Sequence, residues 1–315
     1  MKTIPIILTF DSNMSLPAGV CISSLLMSGD ANNFYDIFVL HSNEEPAIYG
    51  LESIIQNFHN VRIQYRSVGD AFLGAYEVRG ITNATYFRLL APKLITEYDK
   101  AIYADVDTLF RLDLQSLLER DMGDNYLGAV YALEMNITPE RTKYVESIGA
   151  TPGEYFMAGF LLMNLQAMRR DNIVARFMNY VDRKFKYQDQ DIMNIVCKGK
   201  IMSIPYIYHM YDAAFGVVSL HDTKLLESKY LTTESSDDPL LYSNIHFNGA
   251  KPWKTWCPNM DQWWECYRRS PVYDPKLYYI YFADKRELFD QLPLLKRIKI
   301  LLRYFIVGRK KSAII

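Results

Sequence analysis

One feature restricts the fold more than any other: short apolar runs rich in β-formers take turns with segments of helical spacing. "TIPIILTF" (3–10) reads as a buried strand, "LPAGVCISSLLMSG" (16–29) as a helix stopped by Gly29, and "YDIFVLHS" (35–42) as a second strand. "AIYGLESIIQNF" (47–58) is helical again and "VRIQYRSV" (61–68) is a third strand. A parallel neighbour is reached only through a crossover that packs back onto the sheet, so this alternation predicts βαβ units. The expected class is α/β, with a mainly parallel sheet flanked by helices on both faces.

Farther along, "ATYFRLLAPKLI" (84–95) predicts a helix ending at Pro92, and "KAIYADVD" (100–107) a strand. "NYLGAVYAL" (125–133) and "YFMAGFLLMN" (155–164) read as strands, and "LQAMRRDNIVARFMNYVDRKF" (165–185) as a helix interrupted near Asp171. After residue 250 the chain turns dense in Trp, Pro and Arg, "PWKTWCPNMDQWWECYRRSPVYDP". This predicts a principal domain over 1–250 and a small C-terminal helical annex over 251–315. With 315 residues, 50% of them hydrophobic, the chain can bury a core of that size.

Charge and cysteine usage narrow the partners. The 35 basic and 36 acidic residues leave a net charge of −1, so there is no global attraction to nucleic acid and no nucleic-acid partner is expected. Cys21, Cys197, Cys257 and Cys266 form no C-x-x-C pair, which argues against a zinc site or a disulfide framework and for a reducing, cytoplasmic location. "MKTIPIILTFDSN" has no small-residue cleavage pattern, so no signal peptide is expected, and no apolar run reaches the roughly 18 residues of a spanning helix. The C-terminal "LPLLKRIKILLRYFIVGRKKSAII" sets Lys296, Arg297, Lys299, Arg303, Arg309, Lys310 and Lys311 among apolar residues without an acid. That pattern predicts a basic amphipathic helix lying on an anionic membrane surface, hence a peripheral protein of the inner face.

Chemistry centres on "AIYADVDTLF" (101–110), where Asp105 and Asp107 arrive one residue apart as an apolar strand ends. In a strand, residues i and i+2 face the same side, so the two carboxylates would repel each other. A divalent cation, Mn²⁺ or Mg²⁺, would relieve the repulsion and keep coordination sites for diphosphate oxygens. The carboxyl end of a strand is also where open α/β sheets bind ligands. No G-x-G and no glycine loop ending in Lys-Ser or Lys-Thr occurs, so phosphates would be held by metal and side chains. A second D-x-D, in "YQDQD" (187–191), follows no apolar strand and precedes a helical run, where Asp189 can act as a cap.

Taken in order, "ATYFRLLAP", "YADVDTLF", "YQDQD" and "IHFNGAKPW" resemble the motifs of the family 8 retaining glycosyltransferases, the group that holds bacterial lipopolysaccharide galactosyl- and glucosyltransferases and glycogenin; the resemblance covers residues 3–256. It implies a GT-A fold, a UDP-sugar donor and Mn²⁺. It further implies that Asp105, Asp107 and His246 hold the metal, and that Arg88 and Lys251 hold the diphosphate with the backbone of Gly249. Thr9, Asp11 and Asn13 would meet the uridine, and Val106 and Met157 would complete the donor site. Asp189 would bind donor-sugar hydroxyls, and Gln190 would lie near the anomeric carbon, its oxygen stabilising an oxocarbenium-like species during front-face return.

The expected activity is transfer of a sugar to a saccharide or glycolipid acceptor. The alternatives are a nucleotide-sugar-binding protein without transferase activity and a nucleotidyltransferase, although the latter's glycine-rich loop is missing. Three departures bear on specificity. Met157 stands in "MAG" where the galactosyltransferases have "NAG", Ala132 follows "LGAVY" where they have an Asp, and four residues rather than five separate His246 from Lys251.

Overall fold

The computed structural model describes residues 2–302 except 79, 221, 223, 224, 226–228 and 233–238, with the backbone alone over 285–289. Among the described residues there are ten strands, β1 (Thr3–Thr9), β2 (Phe34–His41), β3 (Val61–Ser67), β4 (Lys100–Asp105), β5 (Thr108–Leu109), β6 (Leu127–Tyr131), β7 (Phe156–Asn164), β8 (Ile201–Ser203), β9 (Met210–Tyr211) and β10 (Ile245–His246). Seven form the main sheet in the order β3-β2-β1-β4-β7-β6-β8, and β5-β10-β9 form a small second sheet. β3, β2, β1 and β4 run parallel, as the βαβ alternation requires, while β7 lies antiparallel to both β4 and β6.

Period-two alternation along the central strands supplies two cores. Ile4, Ile6 and Leu8 of β1 point to one side with Ile37, Val39, Ile102 and Ala104; Ile7, Phe38 and Tyr103 point to the other. The first side is covered by helix Ser15–Ser28 and by helix Met260–Arg269, whose Trp263, Trp264 and Tyr267 are buried in the same cluster. The second is covered by the segment 83–94 and helices Leu165–Arg170, Ile173–Met178 and Gln188–Val196. The aromatic annex is thus part of the sheet's own core, as the run of Trp and Tyr in an apolar position demands.

Three local expectations need correction. The segment 84–95 does not end at Pro92: a 3₁₀ helix, Asn83–Leu90, leads into a short α-helix, Ala91–Leu94, in which Pro92 sits in the first turn. A first-turn amide has no intrahelical acceptor, so proline costs nothing there. The predicted helix 165–185 breaks near Asp171 as read, at Asn172 in the left-handed region (φ 50°), but its second half stops at Met178. Finally, the two acids are not strand neighbours, because β4 ends at Asp105 and Asp107 lies in the turn before β5.

Candidate active site

That turn positions the site. β4 is held between β1 and β7 at the centre of the sheet, so Asp105 emerges at its carboxyl end beside Thr9, its partner in the β1 register. The turn then carries Asp107 sideways to face β10, where His246 pairs with Thr108 across the small sheet. The three groups therefore converge from 141 residues apart in sequence: their ligand atoms lie within 4.8 Å of one another. His246 Nε2 is 3.0 Å from Asp107 Oδ1 and 3.7 Å from Asp105 Oδ2.

Each acid spends one oxygen on the protein and keeps the other. Asp105 Oδ1 accepts from the Tyr103 hydroxyl at 2.5 Å and is 3.1 Å from Arg88 Nη2. Asp107 Oδ2 accepts from Lys251, while its Oδ1 is buried without a hydrogen-bond donor. A buried carboxylate oxygen in that condition costs about 1–3 kcal/mol. Facing an imidazole nitrogen and a second carboxylate, it fits a divalent cation taking hard oxygens and one nitrogen. Burial alone would push the Asp107 carboxyl up, but His246 and Lys251 outweigh it and hold it well below the usual carboxylate range.

The cavity around this triad has a volume of about 710 Å³ and is lined by Thr9, Asp11, Arg88, Val106, Met157, Asp189, Gln190, Gly249 and Lys251 among others. Of the residues singled out in the sequence, Asn13 is not among its lining residues; it is exposed and its backbone N–H donates to Asp11 at 2.9 Å. Ala132 is fully buried and likewise outside the lining, where Glu134 and Met135 appear instead. Thr9 bonds the Tyr103 hydroxyl at 2.9 Å, and Asp11 accepts from Thr82 at 2.8 Å.

Arg88 is 4% exposed, and its fork is engaged throughout by the protein. Nη1 donates to the Ala158 carbonyl and Nε to that of Thr85, Nε also lies 2.9 Å from Asp189 Oδ2, and the guanidinium stacks 4.2 Å above the Tyr103 ring. Arg88 thus ties Asp105 to Asp189, which also accepts from the Thr85 hydroxyl. Burial pushes Asp189 up to about 6 despite the pull of Arg88 and Thr85. Asp189 sits in the first turn of helix Gln188–Val196, but its side chain turns away to these partners instead of capping the helix.

Gln190 is oriented by a chain of donors. The Ala158 N–H donates to Gln190 Oε1 at 3.0 Å, and Gln190 Nε2 donates to the Tyr155 hydroxyl, which donates to Asp191 at 2.5 Å. Asp191, wholly buried, also accepts from the Tyr144 hydroxyl and from the Tyr187 N–H.

Three residues beyond those singled out in the sequence also shape this site. A Cβ on Gly159 would sit 2.3 Å from His246 Cε1 and 2.9 Å from Asp105 Oδ2, so no side chain fits there; a glycine inside an apolar strand is the signal that marks such close approach. Tyr103, on the same strand face as Asp105, was legible from its i, i−2 spacing. His209, hydrogen-bonded to His246 at 2.7 Å, had no local signal at all.

The sequence model of glycosyl transferase family 8 matches residues 5–257. A Haemophilus influenzae protein named as a glycosyltransferase is 41% identical over 127 residues, 39% of this chain and 38% of its own length. The lipopolysaccharide 1,2-glucosyltransferase of Escherichia coli K12 is 27% identical over 78% of this chain and 71% of its own. Among solved structures, the galactosyltransferase LgtC in complex with donor and acceptor sugar analogues superposes with a TM-score of 0.65 at 24% identity, over 84% of this chain and 95% of that one. The chain spans 38% of the Haemophilus protein and 51% of the bifunctional enzyme WbbM, which it matches with a TM-score of 0.68.

Proposed function

The chain belongs to glycosyl transferase family 8, and on that premise we propose that it moves a sugar from a UDP-sugar donor to a saccharide or glycolipid acceptor with Mn²⁺ at Asp105, Asp107 and His246. The observation that carries this reading is the convergence of those three ligands on one side of a 710 Å³ cavity. A divalent cation there supplies Lewis-acid stabilisation of the charge that grows on a departing diphosphate. Lys251 adds an ammonium at the same end of the cavity, which supports its role on the diphosphate although it also holds Asp107. Arg88 is better fitted to setting the positions of Asp105 and Asp189 than to gripping phosphate.

Retention of anomeric configuration through a covalent intermediate needs an unencumbered carboxylate. Asp191 is enclosed by three donors and Asp189 by Arg88 and Thr85. Their engagement supports front-face return, with the Gln190 oxygen oriented by Ala158 and keeping a second lone pair for the reacting sugar. The Asp189 carboxyl, on the same cavity wall, is the proposed partner of donor hydroxyls.

Met157 lines the cavity, and it stands where the resemblance to the galactosyltransferases implies an amide that bonds a sugar hydroxyl. A lost hydrogen bond of that kind costs about 1–3 kcal/mol, so the donor is proposed to carry an N-acetyl or deoxy group, or fewer hydroxyls, against the thioether. UDP-Gal, UDP-Glc, UDP-GlcNAc and UDP-Xyl should be compared for Mn²⁺-dependent binding, and for UDP release with and without acceptor saccharides. Acceptor-dependent release is expected. Binding without any release would leave a nucleotide-sugar-binding protein, absence of Mn²⁺-dependent binding would reject the proposal, and a strong galactose preference would reject the donor assignment.

Among the described residues no helix is long and apolar enough to cross a membrane. Helix Leu294–Leu302 leaves Leu295 82% and Leu294 70% exposed beside Lys296 and Lys299, which supports peripheral attachment to anionic lipid at the inner membrane face. Arg303, Arg309, Lys310 and Lys311 lie outside the described residues. Deleting residues 292–315 is expected to abolish co-sedimentation with phosphatidylglycerol liposomes at moderate salt; retained binding would reject attachment by this segment.

A further inference from the structure

A second imidazole stands behind the first. His209, at the end of the 3₁₀ turn Tyr206–Tyr208, is fully buried, and its Nε2 lies 2.7 Å from His246 Nδ1 with the two rings stacked at 4.8 Å. Its other nitrogen, Nδ1, is buried without a hydrogen-bond partner. The ring packs between Phe160 and Tyr211, at centroid distances of 5.9 and 5.8 Å. Packing alone does not explain this residue, since a phenyl ring would fill the same aromatic slot without leaving a polar nitrogen unpaired, at a cost of about 1–3 kcal/mol.

The geometry points to His209 as the positioning residue that sets the tautomer and ring angle of His246. The inference rests on the reading of Asp105, Asp107 and His246 as a cation site. To offer a lone pair at Nε2, His246, which is 4% exposed, must carry its proton on Nδ1, and that buried proton needs an acceptor from the protein. His209 Nε2 is the group in place to accept it. Its own proton then rests on Nδ1, the atom without a partner, which is where the cost of the arrangement falls. Gly159 completes the device, because the absence of a side chain there lets the His246 ring lie against β7 in the orientation His209 dictates.

The test is Mn²⁺ binding by the full chain, read as loss of the free-Mn²⁺ electron paramagnetic resonance signal, for the wild type, His209→Phe and His209→Gln. Phe preserves ring packing and removes the acceptor; Gln places an amide oxygen near Nε2 and can accept the His246 proton. The expected order is wild type, then Gln within a few-fold, then Phe weaker by about 10- to 100-fold. A packing role alone predicts the reverse order of the two variants. Equal Mn²⁺ affinity for His209→Phe and the wild type, or Phe binding more tightly than Gln, would overturn the inference. Absence of Mn²⁺ binding by the wild type would overturn the cation site itself.

Discussion

Asp107→Asn is expected to lower transfer by about 10³-fold and to raise the Mn²⁺ concentration needed for half-maximal binding by at least about 100-fold. The amide keeps the shape of the side chain but removes the charge that faces His246 at 3.0 Å and Lys251. The same substitution has a stability signature of definite sign. Asp107 is ionised more easily in the folded chain than at its unfolded value of 3.8, so the stability it contributes is present above about pH 4 and lost as pH falls further. The difference in unfolding free energy between wild type and variant should therefore shrink as pH falls below about 4. Wild-type Mn²⁺ affinity in the variant would remove Asp107 from the proposed cation site.

Arg88→Met is expected to cost about 3–5 kcal/mol of stability near pH 8, the largest loss foreseen for a single substitution here. Methionine fills much of the volume but leaves Asp105 and Asp189 facing each other without the guanidinium that bridges them at 3.1 and 2.9 Å. Asp189 already titrates near 6 with Arg88 in place. Without it the carboxyl rises further, so the folded chain holds a proton that the unfolded chain, at 3.8, has released. Such a group favours the folded state at low pH, and the benefit is lost as pH rises through the folded value. The deficit should accordingly be smaller at pH 5 than at pH 8 in denaturant titrations. An Arg88 whose task were only to grip diphosphate would show a loss of donor affinity with stability changed by less than about 1 kcal/mol.

These effects show where local patterns suffice and where they do not. The β1, β2 and β3 runs, each followed or preceded by a helical segment, were readable because period two and period 3.6 are properties of neighbouring residues. Asp105 and Asp107 were readable for a similar reason: acids at the end of an apolar run sit at a strand terminus whatever else the chain does. The antiparallel insertion of β7 left no such mark, since a strand buried on both faces has the same apolar composition in either direction.

The sequence by itself was enough to assign a mainly parallel α/β sheet and to put Asp105 at a strand end, because those features depend on residue type and short spacing, whereas His246 joined the two acids only through the resemblance of the ordered motifs to family 8. Only the folded molecule decided that Arg88 bridges two acids, that Gly159 must have no side chain, that Gln190 is oriented by Ala158 and Tyr155, and that His209 stands behind His246. Each of these is an orientation or a distance between segments far apart in sequence, set by packing across the sheet and not by the residues on either side.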